Sequence, residues 1–392
     1  MLVPQGFRFA TAAAGFKKPG RNDLALVLSD TPASAAGVFT TNRFQAAPVL
    51  VSRERLVESE TAMAVVINSG QANACTGDEG LANCRETLRL VGRAVGVDKC
   101  DVLCASTGVI GQQLKMDLWR ETVPQLAKTL GANGPLDVAK AIMTTDTFAK
   151  VAWASVGEGD AQVRVLGFAK GAGMICPNMA TMLGCVLTDA AVPPQVWRSM
   201  LREAVDASFN CVTVDGDTST NDTVFGLANG ASGVSVDDIG ATALADAVRE
   251  VCRSLAYMIV QDAEGGTKVV RITVSGARDD AEADMAARAV GNSPLVKTAM
   301  FGQDPNWGRI AAALGRSGAA FMPEDVSISI AGLVIFEAGQ PVDIDFDSLL
   351  APHLRKPDID IRISLGRGPG GCELLASDLT HDYVSINADY RS

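Results

Sequence analysis

The stretch "KGAGMICPNMATMLGCVLTDA", Lys170 to Ala190, decides how this chain is read. From Gly171 to Thr188 it carries no charge. A run of that length belongs either in a bilayer or in the interior of a protein. Its content argues against the bilayer. Pro177 and Asn178 would fall near the centre of the span, with Gly171, Gly173 and Gly184 around them, and a lone helix tolerates neither the lost N–H nor the buried amide there. The run is therefore assigned to the protein interior. An irregular, turn-rich segment leads into a strand, "LGCVLTDA", and Thr181 sits at the junction.

The whole chain agrees with that assignment. Its 392 residues are 47% hydrophobic and 20% charged, a globular composition with enough length for a large core. A net charge of −11 argues against a sequence-independent grip on nucleic acid, which needs clustered Lys and Arg. Small anionic substrates need only one or two local cations and stay open. The nine cysteines form no C-x-x-C pair and read as reduced, mostly buried thiols of a cytosolic protein. The histidines are two, His353 and His381. That scarcity counts against zinc and against a Ser-His-Asp triad. The N-terminus has no apolar core behind a basic start, so no secretory signal is expected.

Periodicity gives a mixture of elements. "AMAVVINS" (62–69), "DVLCAS", "VAWASV", "AQVRVLGFAK", "KVVRITVSG" and "DIDIRISL" read as strands. Helical spacing covers 83–96, 114–130, 135–143 and 241–260, the last with Leu244, Val248, Val251, Leu255, Met258 and Ile259 on one face. "EDVSISIAGLVIFEAG" predicts a hairpin turning near Ala331-Gly332. The tail "HDYVSINADY" alternates like a strand. The fold class is α+β, sheets layered with helices, in one compact body with a smaller lobe.

Two motifs are set aside. "GRGPGG" (366–371) fits G-x-G-x-x-G, but the residues after Gly371 read extended, and a dinucleotide site needs a helix to begin there. "DGDTSTNDT" (215–223) opens like a calcium loop, yet position six is Thr220 and position twelve Gly226, where an EF-hand needs Gly and Glu. It reads as a polar loop with Asx turns or as the wall of a polar pocket.

A Thr that follows Ala at the mouth of a strand has a known chemical use. Its hydroxyl can attack the carbonyl of Ala180. An N-to-O shift then gives an ester, and hydrolysis frees Thr181 as a new N-terminus. That residue would carry both nucleophile and base, because an α-amino group titrates near about 7.7–8, where general-base catalysis works well. No histidine is needed. The structural alternative is a strand-start Thr beside a Pro-Asn turn.

At these residues the chain resembles the arginine-biosynthesis glutamate N-acetyltransferases, or ornithine acetyltransferases, which cut themselves between Ala and Thr of "NMATML". The resemblance extends over "FTTNRFQAAPV", "VINSGQANACTG", "STGVIG", "IMTTDT", "FNCVTVDGDTSTNDT", "SPLVKTAMFGQDPNWGRI" and "DLTHDYVSINADYRS". It implies an αββα sandwich like that of the N-terminal-nucleophile enzymes. It also implies fragments 1–180 and 181–392 that stay together in an α2β2 assembly. The reaction implied moves acetyl from N2-acetylornithine to glutamate through an acetyl ester on Thr181, with no cofactor. Some members also use acetyl-CoA as donor.

The residue roles are likewise implied by the resemblance. Thr107 and Gly108 match an oxyanion hole. Thr144, Lys170, Glu264, Asn387 and Ser392 match substrate-binding positions, and Thr145 competes with Thr144 for register. Each also has a plain structural reading: Gly108 a turn, Lys170 a solvated lysine, Glu264 an exposed helix end, Asn387 and Ser392 a frayed tail. Two rival functions stay open. One is a self-cleaving amidase or aminopeptidase. The other is an uncut protein that binds an amino acid.

Overall fold

The computed structural model describes residues 1–17, 20–176, 182–366 and 368–389, with the backbone alone at Asp160. Ala180, Thr181 and Ser392 lie outside the described residues. The N-terminal part runs β1 (Phe7–Ala12), β2 (Leu24–Phe39), α1 (Ala47–Glu58), β3 (Thr61–Gln71), α2 (Gly77–Val95), β4 (Val102–Val109), α3 (Met116–Lys128) and α4 (Pro135–Ile142). The middle part continues with β5 (Lys150–Val156), β6 (Val163–Lys170), β7 (Leu183–Thr188), α5 (Pro194–Asp206), β8 (Val212–Thr213), β9 (Thr223–Ala228), α6 (Val236–Ile239) and α7 (Ala241–Gln261). The C-terminal part comprises β10 (Val269–Ala277), α8 (Asp280–Gly291), α9 (Pro294–Phe301), α10 (Trp307–Gly315), β11 (Ser327–Ile330), β12 (Leu333–Glu337), β13 (Gln340–Pro341), α11 (Phe346–Leu354), β14 (Asp358–Ser364), β15 (Gly370–Ser377) and α12 (His381–Asp389).

One hydrogen-bonded sheet has the order β4-β3-β2-β9-β7-β6-β5, with β1 added on β2. It doubles back on itself at β2. The first half of β2 pairs with β3, the second half with β9, and the register breaks between Leu28 and Ala33. Such an irregularity bends a strand and increases its twist. The packing shows the result. Ala25, Val27, Val65 and Ile67 share one buried cluster with Leu166, Phe168, Cys185, Leu187 and Phe225, so β1–β4 face β5, β6, β7 and β9 as two layers. Alternate residues point outward. Leu24, Leu26 and Leu28 pack under α2 and α3 with Leu88, Val91 and Trp119. Val163, Val165 and Val186 pack under α5 and α7 with Trp197, Val248 and Leu255. The layers are helix, sheet, sheet, helix.

The second sheet, β13-β12-β11-β14-β10-β15-β8, makes the smaller lobe, with Val274, Ile328, Ile361 and Leu374 packed against α8–α10. The hairpin turns at Ala331 and Gly332, both at positive φ (49° and 85°), as a two-residue type I′ connection requires. β15 is the strand expected beyond "GRGPGG". Val269 and Leu375 of this lobe join the core under α7, so the two sheets share one body. Among the described residues no helix is long and apolar enough to cross a membrane.

One expectation is corrected. The tail forms helix α12, not a strand. Val384 and Ile386, whose alternation suggested a strand, are exposed. The Thr380 hydroxyl accepts a bond from the N–H of Tyr383 and donates to Gly265 O, which starts the helix against the body. Tyr383 and Asn387, four apart, then lie on one helical face.

Candidate active site

The pocket lies where the strand ends of the two layers meet. Thr107 and Gly108 end β4, beside Ser69 and Gly70 of β3. Lys170 ends β6, and its ammonium lies 3.5 Å from the Thr107 hydroxyl across the layers. Thr144 and Thr145 come from the loop before β5, Ser219, Thr220 and Asn221 from the loop before β9, Glu264 from the turn after α7, and Asn387 from α12; all line one pocket with Thr107, Gly108 and Lys170. The polar loop at 215–223 is therefore a pocket wall.

Gly108 sits at φ 129°, and a Cβ there would stand 2.3 Å from the carbonyl carbon of Gly70. No L side chain fits between those backbones. Gly108→Ala is expected to cost about 1–3 kcal/mol or more and to lower turnover at least tenfold by pushing β4 from β3. Melting temperature and kcat on the purified variant check this, and wild-type values for both would remove the constraint.

Lys170 is 3% exposed and Glu264 9%, so neither is the solvated residue that a plain reading allowed. Burial pushes the Lys170 ammonium below its usual range with Lys150 adding to the effect, while Asp146, Asp222 and Glu264 oppose it. Glu264 accepts a 2.9 Å bond from the Asn387 amide. The approach is tight, because a Cβ on Gly173 would fall 2.3 Å from the Glu264 carboxylate. Opposite charges on Lys170 and Glu264 in one pocket suit a zwitterion.

Behind the pocket lies a buried ionic network that spacing alone did not reveal. Asp146 accepts from the N–H of Thr144 at 2.9 Å, from the N–H of Gly171 at 2.6 Å and from Lys150 at 2.8 Å. Lys150 also donates to Asp262 at 2.5 Å. Asp262 in turn accepts from the N–H and hydroxyl of Thr147. Burial alone would raise the Asp146 carboxyl, but Lys170, Lys150 and the Thr144 N–H outweigh it and hold it at about 2. A second carboxylate, Asp215, grips the N–H groups of Met174 and Ile175 at 2.5 and 2.9 Å. It fixes the backbone at residues 174 and 175 and is raised by burial. Among the described residues no group of three or more His, Cys, Asp or Glu is placed to hold a metal ion.

A family model for the ArgJ family matches residues 8–392. The chain belongs to the ArgJ family. It is 64% identical over 389 residues to the arginine biosynthesis bifunctional protein ArgJ of Nitratidesulfovibrio vulgaris, with 99% of each chain covered. The Geobacter sulfurreducens protein of the same name is 50% identical over 391 residues, again with 99% of each covered. Among solved structures, the arginine biosynthesis bifunctional protein ArgJ of Bacillus halodurans is 35% identical, with a TM-score of 0.49 over 52% of this chain and 96% of that one.

Proposed function

We propose that the protein transfers acetyl from N2-acetylornithine to glutamate in arginine biosynthesis, after cutting itself between Ala180 and Thr181 into fragments 1–180 and 181–392. The observation that carries the reading is the convergence of Thr107, Gly108, Thr144, Lys170, Glu264 and Asn387 on one pocket, in a chain 64% identical to a curated ArgJ protein. The Thr181 hydroxyl attacks the acetyl carbonyl, with the freed α-amino group as base. The Thr107 hydroxyl and the Gly108 N–H stabilise the tetrahedral oxygen. Ornithine leaves with the proton, and glutamate takes acetyl from the ester by the reverse steps. Lys170 pairs with the α-carboxylate of either amino acid, and Glu264 with the side-chain ammonium of ornithine. Thr144, Asn387 and Ser392 complete the binding. The paired fragments associate as α2β2 in the cytoplasm.

The test uses N2-acetylornithine labelled in the acetyl group. Labelled acetylglutamate and free ornithine are expected in equal amounts, only when glutamate is present. Labelled acetate released at one rate with or without glutamate would mean a hydrolase instead. The curated relatives are named bifunctional, which favours acetyl-CoA as a second donor to glutamate. Acetylglutamate formed from acetyl-CoA alone would establish it, and no turnover would confine the enzyme to recycling.

A further inference from the structure

We propose that Asn221 and Asp222 are positioning residues that set the oxyanion donors of one layer against the nucleophile strand of the other. The proposal rests on the acetyl-transfer reading above. Thr107 and Gly108 belong to the β1–β4 layer, whereas Met182, next to Thr181, leads into β7 of the facing layer. Between the layers lies an apolar core. Apolar packing is non-directional, yet an oxyanion donor works only within about 2.7–3.1 Å of the developing charge. A directional link across the layers is needed.

Two consecutive residues supply it. The Asn221 amide donates to Ala72 O at 2.7 Å and to Ser106 O at 2.8 Å, and Ser106 directly precedes Thr107. Its amide oxygen accepts from the Thr220 hydroxyl at 2.7 Å, which fixes the orientation of the group. Asp222 Oδ1 then accepts from the N–H of Met182 at 2.9 Å, and the N–H of Thr223 donates to Met182 O at 3.1 Å. The pair is itself anchored, because the N–H of Thr40 donates to Asp222 O and that of Ala46 to Thr220 O. Asn221 is 5% exposed and Asp222 fully buried. Among the described residues Asp222 Oδ2 has no hydrogen-bond partner. Burial raises the Asp222 carboxyl well above its usual range, opposed by the bond from Met182 and by Lys170. An amide of the same shape keeps the oxygen that accepts from the Met182 N–H.

The experiment is a double-mutant cycle on self-processed enzyme, with processing checked by intact mass. Asn221→Ala is expected to lower kcat roughly tenfold to a hundredfold, with KM within about twofold. Thr107→Val lowers kcat by itself. If Asn221 acts by placing Thr107, the double variant loses little more than the worse single one. Asp222→Asn keeps the acceptor for Met182 and should hold kcat within about threefold of wild type, whereas Asp222→Ala should fall as far as Asn221→Ala. Losses that multiply in the cycle, or an Asn221→Ala enzyme with wild-type kcat, overturn the proposal. So does Asp222→Asn falling as far as Asp222→Ala. Thr107→Val with wild-type kcat would instead remove the oxyanion reading beneath it. If Asn221→Ala does not melt cooperatively, Asn221→Gln replaces it. The longer arm misplaces the same amide, and an intermediate kcat loss with the wild-type melting temperature is then expected.

Discussion

Thr181→Ala is expected to give a single uncut chain with no measurable acetyl transfer, where wild type gives two fragments split between Ala180 and Thr181. The expectation comes from the chemistry of the junction. The hydroxyl would act twice, first on the Ala180 carbonyl and then on the acetyl group. The base for the second step exists only after the first, since the α-amino group is released by the cut. Deleting one oxygen therefore removes nucleophile and base together, and the loss should exceed the roughly 10²–10³ typical of a single oxyanion donor. Asp215 fixes Met174 and Ile175 on one side, and Asp222 fixes Met182 on the other. Intact mass under denaturing conditions and an acetylglutamate assay read the result. An uncut but active wild type, or a cut Thr181→Ala chain, would sink the mechanism.

Most of the strands and helices were legible because their periods are clean. β14 alternates strictly, and α7 buries the expected stripe except Met258, which is half-buried. The doubling-back of the first sheet was not legible. It depends on β2, a 16-residue strand interrupted by "SDTPAS", which on spacing alone looks like a turn. Pairing with β1, β3 and β9 holds β2 in one element, and β9 in particular is distant in sequence. The tail departs from its strand-like pattern for the opposite reason. A period-two pattern carries information only where one face is buried, and Val384 and Ile386 face outward.

At the pocket, "STGVIG", "IMTTDT", "DAEGG" and the C-terminal Asn were traceable through family resemblance. Asp146 stands inside one of those motifs, two residues after Thr144, but its partners Lys150 and Gly171 are set by folding. Asn221 and Asp222 close a loop whose calcium-like signature lies entirely in its first half. The signal available was the density of short polar side chains after Gly216, each able to bond backbone at close range. Which backbone they reach is a tertiary fact.

Lys150→Met should be the most damaging single change outside the reacting groups, at about 3–5 kcal/mol of stability, because it leaves two buried carboxylates without their shared cation. Lys150, Asp146 and Asp262 have side chains at most 2% exposed, so water cannot replace the lost charge. Activity should fall further than stability. Asp146 holds Thr144 and Gly171, the residue after Lys170, and Asp262, two residues before Glu264, holds Thr147. The pH dependence has a definite sign. The folded Asp146 carboxyl, at about 2, lies below its ordinary 3.8, so its contribution to wild-type stability is present above about 3.8 and is lost as pH falls through 2. Without Lys150 the Asp146 carboxyl loses one of the cations that hold it down and moves upward, and its protonation relieves the variant before it harms the wild type. The gap between the two proteins should therefore be widest at neutral pH and narrow by about pH 4. Urea unfolding at both pH values measures it. A difference below about 1 kcal/mol, or one that does not change with pH, would show that Lys150 does not hold these carboxylates.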